Sequence, residues 1–433
     1  MDQRIRTRRA RSAVSGPAGG VTARWMFVLA VLASSMSVAT VSAQSAIPVR
    51  QLGRILSSDT TVLTSISAVR QLPGGRVIVN DATRRQLVLF DSTLSKHTVI
   101  ADTSTNSPNS YGLRGSSGGL VPYVGDSTIF IDTESQAFLI IDERGRFARV
   151  MAPTRARDMF YISSGAYGSA AFDPKGRLVY RTVRQPPGDA FGQRDMSGKV
   201  QIVTQPDSAP ILRADFDKRT VDTIAIIKSP VLKYATVSTA NTMRQYQVVN
   251  PLPVGDEWAL LPDGAIAIVR GQDYHIDWLA PDGALTSSPK MPFDWKRITL
   301  EEKQAMLDSL KRADAERVAK LPPPPPPVPG QPVFANAPFV TVDVADLPDY
   351  YPAVRAGQVR ADPAGRVWIL PSTSAAAKGG LLYDVVNRQG DIVERVQLPP
   401  GRTLVGFGLG GAIYMHHVKS PKSAAIERAE VLR

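Results

Sequence analysis

The stretch Gly115-Ser116-Ser117-Gly118-Gly119 matches the G-x-S-x-G pattern of a serine nucleophile. That chemistry needs a strand before the serine and a helix after it, so that a strained turn presents the hydroxyl. Here a polar loop precedes it and Leu120-Val121-Pro122-Tyr123, a strand with a proline, follows. The context is therefore that of a loop. Four histidines are present, His97, His275, His416 and His417. His416 and His417 are adjacent in a strand-like run, where neighbours point to opposite faces, so the two cannot line one site. No calcium-binding loop, zinc pair or phosphate-binding glycine loop appears. With no cysteine in the chain, thiol catalysis and cysteine metal sites are excluded.

The elements that would position such residues announce themselves through turns. Four share the form x-Pro-x-Gly: Leu72-Pro73-Gly74-Gly75, Asp173-Pro174-Lys175-Gly176, Leu261-Pro262-Asp263-Gly264 and Asp362-Pro363-Ala364-Gly365. Looser copies stand at Val124-Gly125-Asp126-Ser127 and Leu409-Gly410-Gly411-Ala412. Proline second and glycine fourth suit a type I turn, and Asp173, Asp263 and Asp362 are expected to cap backbone amides. Each turn leads into β-branched or aromatic residues, such as Val77-Ile78-Val79 and Val367-Trp368-Ile369. The glycines at 75, 125, 176, 264, 365 and 411 are 50, 51, 88, 101 and 46 residues apart. Three gaps agree; the two long ones read as the same unit carrying insertions. A second apolar run ends at Asp91, Asp142, Asp282 and Asn387 in four units. Each unit thus predicts four antiparallel strands, the makeup of a propeller blade.

The fold class expected is all-β, a six-bladed β-propeller with one helix–polyproline insertion. The blades fall near 60–115, 116–165, 166–250, 251–350, 351–400 and 401–433, the last closed by an N-terminal strand over 47–56 that removes an exposed sheet edge. Residues 181–207 read as a long loop. In the insertion 284–350, Thr299-Leu300-Glu301-Glu302 has capping-box spacing, with Met306, Leu307, Leu310 and Ala313 in one narrow stripe. Asp308–Arg312 and Glu316–Lys320 are spaced as i,i+4 ion pairs, and Pro322 to Pro327 form a stiff spacer.

Of the formal charge of +12, six arginines against Asp2 in residues 1–43 account for +5. The rest is spread without a basic run, which excludes a nucleic-acid stripe. Residues 1–43 have the basic, apolar and small-residue order of a secretory signal, with cleavage expected after Ala43. The mature product is then exported, periplasmic or extracellular, with no membrane span and without the cysteine of a lipoprotein.

The run Tyr351-Pro352-Ala353-Val354, Asp362 to Ile369 and Tyr383 to Gly390 resembles the six-bladed β-propellers of exported bacterial proteins, and is similar to NHL-repeat and TolB-like propellers. The resemblance spans about residues 60–433 and marks structure, with no catalytic signature. Propeller enzymes resembling calcium-dependent lactonases hold a metal at the central channel with carboxylates and an Asn. Asp256 and Glu257, before Trp258, are placed to reach a channel mouth, but two carboxylates do not make a metal site. Tyr161, Tyr167, Tyr274, Trp295, Tyr350 and Tyr351 fall between strands and are expected to seal blade to blade. The expectation is a non-catalytic binding or protein-interaction scaffold for a protein or small-molecule ligand. No cofactor or metal is predicted, and no catalytic or ligand-binding residue is assigned. The alternative is a metal-dependent hydrolase, lactonase or lyase with its site at the channel mouth, where calcium would enter.

Overall fold

A computed structural model describes residues 47–433, apart from 60–62, 105–108, 113–117, 185–198, 239–242, 322–338, 377–378, 421 and 433. The expected signal segment 1–43, Ser116 and Ser117, and the proline tract lie outside the described residues.

Six small sheets follow one another along the chain, each running outward from a short first strand. The first consists of Ile66–Gln71, Val77–Asp81, Gln86–Phe90 and His97–Ala101. The second has Leu120–Pro122, Thr128–Asp132, Ala137–Ile141 and Phe147–Met151. The third has Ala171–Phe172, Leu178–Arg181, Ser208–Asp215 and Thr220–Lys228. The fourth has Glu257–Leu260, Ile266–Arg270, His275–Leu279 and Leu285–Ser287. Val359–Ala361, Val367–Ile369, Leu382–Val386 and Ile392–Gln397 form the fifth. Arg402–Phe407, Ala412–Ser420 and Ser423–Glu430 form the sixth.

Burial of apolar side chains decides how these sheets stack. Ile78 and Phe130 meet between the first and second sheets, and Phe138 and Tyr180 between the second and third. Ile211 and Trp258 fill the next seam, then Val269 and Val359, then Val396 and Met415. Phe90 and Tyr414 join the sixth sheet back to the first. Both faces of every sheet are thereby covered, in the radial arrangement of a β-propeller.

The N-terminal segment divides between two sheets where one strand over 47–56 was expected. Val49–Gln51 runs parallel to Arg395–Gln397 on the outer edge of the fifth sheet. Leu52 then bridges Val431, and Ser57–Ser58 pairs antiparallel with Glu427 and Arg428 of the sixth.

At the turns, Gly176 and Gly365 donate from N–H to Asp173 O and Asp362 O, each at 2.9 Å, with φ of +73° and +78°. Those left-handed angles are what glycine tolerates. Asp173, Asp263 and Asp362 cap backbone amides as expected, and Asp173 and Asp362 also hold the arginine four residues on. Asp173 accepts from Lys175 N, Arg177 N and Arg177 Nε. Asp362 repeats this with Ala364 and Arg366, and Asp142 with Arg144 and Arg146. The motif is Asp-x-x-Gly-Arg.

The insertions correct the sequence reading most. Residues 181–207 hold a strand, Val200–Thr204, that pairs with Lys233–Ser238; that strand pairs in turn with Met243–Gln247. Ala235 and Val248 of this region pack with Leu307, Val342 and Leu347 of the later insertion. Two long insertions therefore fold into one module, a three-stranded sheet backed by the helix Leu300–Ala319. The capping box is present: Glu302 N donates to Thr299 Oγ1 and Thr299 N to Glu302 Oε2. The expected stripe narrows to Leu307 and Lys303, with Ala313 exposed. Lys303 Nζ donates to Leu347 O at 3.0 Å and to Asp349 Oδ1 at 2.8 Å, so it serves as a buried staple. In place of the expected i,i+4 pairs, Asp308 accepts from Gln304 and Asp314 from Arg317. No helix among the described residues is long and apolar enough to cross a membrane.

The capped turns carry a stability prediction. Burial opposes ionisation of Asp173, but the bonds from Arg177 and Lys175 outweigh it and hold its carboxyl below the ordinary range. Asp173→Ala should destabilise the fold by about 1–3 kcal/mol at neutral pH in denaturant unfolding. Because the folded-state value is depressed, that contribution is present above the ordinary aspartate range. It is lost as pH falls through the folded value, so the gap to wild type should shrink in acid.

Candidate functional site

At the end of the ring where the chain crosses from sheet to sheet, polar residues terminate otherwise apolar strands. In the first two sheets their job is structural. Asp81 accepts from Thr64 N, Ser65 N and Arg84 N, and Asp132 from Gly112 N and Glu134 N, tying down the entering loops.

The third and fourth sheets differ. Leu178–Arg181 ends in Arg181, and Glu257–Leu260 begins with Glu257; their side chains are 4% and 2% exposed. Alternation along an extended chain sends Asp256 and Glu257 to opposite sides. Asp256 joins the frame: its Oδ2 accepts from Lys228 N at 3.0 Å and Arg270 Nη1 at 2.6 Å, and its Oδ1 from Gly271 N. Arg270 Nε also reaches Asp277 Oδ2 at 2.7 Å. Glu257 instead faces Arg181, with Nη1 and Oε1 3.9 Å apart, too long for a hydrogen bond. Arg181 is held by other groups. Its Nη1 donates to Asp256 O and its Nη2 to Ala166 O, both at 3.1 Å, and the guanidinium lies 5.8 Å from the centre of the Tyr167 ring.

Arg181 Nε and Glu257 Oε2 are both buried and have no hydrogen-bond partner. Burial pushes the Glu257 carboxyl above its ordinary value; Arg181 and the N–H of Gly357 oppose this without cancelling it. Such a pair favours the protonated carboxyl and has one donor and one acceptor to offer a small polar group.

Backbone geometry keeps the surroundings of this pair tight. Trp258 Nε1 donates to Tyr167 O at 2.8 Å. A Cβ at Gly168, whose φ is +87°, would lie 2.5 Å from that same nitrogen, so only glycine fits. Above Arg181, Tyr167 packs edge-on with Tyr161 at 5.0 Å, and Phe160 lies 5.6 Å from Tyr161. Burial raises the Tyr167 hydroxyl to about 12, with Tyr234 of the inserted sheet and Tyr161 adding to the rise. Thr182 and Tyr161 also border a cavity of about 450 Å³ with Arg155 and Asp158. Nearby, Arg360 Nη1 donates to Ser169 Oγ at 3.0 Å.

Other residues singled out in the sequence fall elsewhere. Asp256 and Glu257 are adjacent but divided in role. His417 Nδ1 lies 2.8 Å from Glu427 Oε1, whereas burial and His417 lower the half-buried His416. Their opposite orientations agree with the sequence reading. His275 Nε2 is 3.3 Å from Asp277 Oδ1, and His97 packs on Phe90. Tyr274 is buried and seals a seam, while Trp295 and Tyr350 are 41% and 46% exposed. Arg181 was missed, because it stood at the boundary of a presumed loop. The available signal was a charged residue directly after the apolar run Leu178-Val179-Tyr180.

A divalent metal does not fit this pair. The free carboxylate oxygen sits beside a guanidinium, and the oxygens of Asp256 are occupied by Arg270 and backbone amides. Among the described residues, no three His, Asp or Glu side chains converge to hold a cation.

No protein-family model matches the chain, and no curated protein matches it. Solved structures do. A gluconolactonase from Xanthomonas campestris is 9% identical over 85% of this chain and 86% of that one, with a TM-score of 0.38. Regucalcin from Agrobacterium tumefaciens, described as a calcium-binding protein, is 10% identical over 88% and 96%, with a TM-score of 0.40. Virginiamycin B lyase from Staphylococcus aureus is 12% identical over 86% and 85%, with a TM-score of 0.33. Likeness of this size assigns no residue, metal or substrate to this chain. The expectation of a non-catalytic scaffold is not upheld: a gluconolactonase and a lyase stand among these structures.

The Glu257 carboxyl gives the site a pH signature. Its folded-state value is raised, so its contribution to stability is fully present below the ordinary glutamate range. It is lost as pH rises through the folded value. The stability of Glu257→Gln relative to wild type should therefore climb as pH rises above the ordinary glutamate range in thermal unfolding. A difference that stays flat as pH rises would show that Glu257 has an ordinary proton affinity.

Proposed function

We propose that this chain is an exported six-bladed β-propeller enzyme, a hydrolase or lyase. It performs acid–base chemistry on a small carbonyl- or carboxylate-bearing substrate at the mouth of the ring. The observation that supports this is the pair of buried, unpartnered atoms, Glu257 Oε2 and Arg181 Nε, on side chains 3.9 Å apart. A carboxyl raised by burial is suited to accepting and returning a proton near neutral pH. A fixed guanidinium with a free N–H is suited to holding an oxygen on which negative charge develops.

In hydrolysis of a lactone or ester, Glu257 takes a proton from the attacking water and returns it to the departing alkoxide. Arg181 meanwhile holds the carbonyl oxygen. In elimination, Glu257 takes the proton next to the carbonyl and delivers it to the leaving group. Water is kept out by Tyr167 and Tyr161, which must move aside to admit substrate. Each of the six sheets counts as a blade, and residues 1–43 direct export, leaving Gln44 as the first mature residue. The donor set favours chemistry by the side chains themselves over a calcium site.

The test is a turnover screen of the purified mature chain on lactones, esters and β-substituted carboxylates, repeated with Glu257→Gln. The variant should lose about 100-fold or more in kcat/KM while keeping its circular dichroism. Arg181→Met should lose turnover with it. Undiminished turnover in Glu257→Gln would remove the proposed role, and stoichiometric calcium in the purified protein would return the reading to a metal centre.

A further inference from the structure

A second cavity lies in the seam between the fourth and fifth sheets, apart from the Arg181–Glu257 pair. It encloses about 290 Å³, beneath the segment that leads into the helix of the inserted module. At its base Asp384 is 2% exposed. Tyr274 Oη donates to Asp384 Oδ2 at 2.5 Å and Arg395 Nε to Asp384 Oδ1 at 2.8 Å. Both carboxylate oxygens are thus used to hold other groups. Burial raises Asp384 despite the bonds from Tyr274 and Arg395.

The arginine so oriented keeps its two terminal nitrogens without a protein partner among the described residues. They form the planar fork that matches a carboxylate. Lys296 borders the same cavity, its Nζ 5.4 Å from the centre of the Tyr351 ring. The walls are apolar, from Phe293, Leu382 and Pro371, with the side chain of Thr373 among them. Asp294 stands at the rim, so the lining pairs two cations with two carboxylates. A ligand of high negative charge is disfavoured by that balance; a single negative charge with an apolar body suits it.

We propose that this cavity binds a small monocarboxylate with an apolar body, its carboxylate held by Arg395 and Lys296 and its body packed against Phe293 and Leu382. The site is separate from the proposed catalytic pair and stands or falls without it.

Titration calorimetry of the full chain with benzoate and hexanoate, and with the matching amides, tests this. Trp295, which packs edge-on against Phe293 at 4.9 Å, supplies a second, fluorescence readout. The acids should bind at least tenfold tighter than the amides. Arg395→Met should lose at least tenfold in affinity and Lys296→Met a smaller factor. Because Arg395→Met leaves Asp384 without its cation, Thr373→Phe is the companion variant, filling the cavity while leaving the ion pair alone; it should abolish binding. Glu257→Gln should bind as wild type does. Equal affinity for acids and amides, competition by inorganic phosphate as strong as by benzoate, or unchanged binding in Thr373→Phe would each overturn the proposal.

Discussion

The whole molecule depends on burying both faces of small sheets. A four-stranded sheet has too little apolar area to stand alone in water, and here each is covered only by its neighbours. Ile78 needs Phe130, Val269 needs Val359, and Phe90 needs Tyr414 from the other end of the chain. Much of the polar chemistry is thereby pushed to the strand ends, where Asp81, Asp132, Arg181 and Glu257 lie. Asp81 and Asp132 are consumed in holding loops, whereas Glu257 and Arg181 each keep an atom unspent.

The insertions obey the same constraint one level up. Neither insertion carries enough apolar surface to fold alone, so the two pool Ala235, Val248, Leu307, Val342 and Leu347 into one small core. The module is then fastened by charge, through Lys233 to Asp346 at 2.7 Å and Lys303 to Asp349. A feature that looked like decoration of two separate units is thus one body.

Much of the frame was legible in the sequence because local chemistry dictates it. Proline and glycine in the turns, and the threonine and glutamate of the capping box, act within four residues of themselves. The seventh sheet was not legible, since Val200–Thr204 finds its partner Lys233–Ser238 some thirty residues away, and its pairing rests on a helix a hundred residues further on. The site was half legible. Glu257 stood out as a carboxylate before an apolar run, but Arg181 gained meaning only when folding set it beside that carboxylate. Charge pairs in the frame behaved likewise: the aspartates were readable as caps, and their arginine partners were overlooked.

The division of the N-terminal segment reaches beyond packing. Residues 49–58 bind the outer strands of the last two sheets, so the first part of the chain to be made waits for the last. Contacts between Ser57 and Arg428 have nearly the largest sequence separation the chain allows, and such contacts slow folding because a long loop must close before they form. Until residue 428 is available, the ring is an arc with two open edges. The molecule's most vulnerable interval is therefore its own assembly, when the gap is still unfilled and a strand from another copy could take the place of its own.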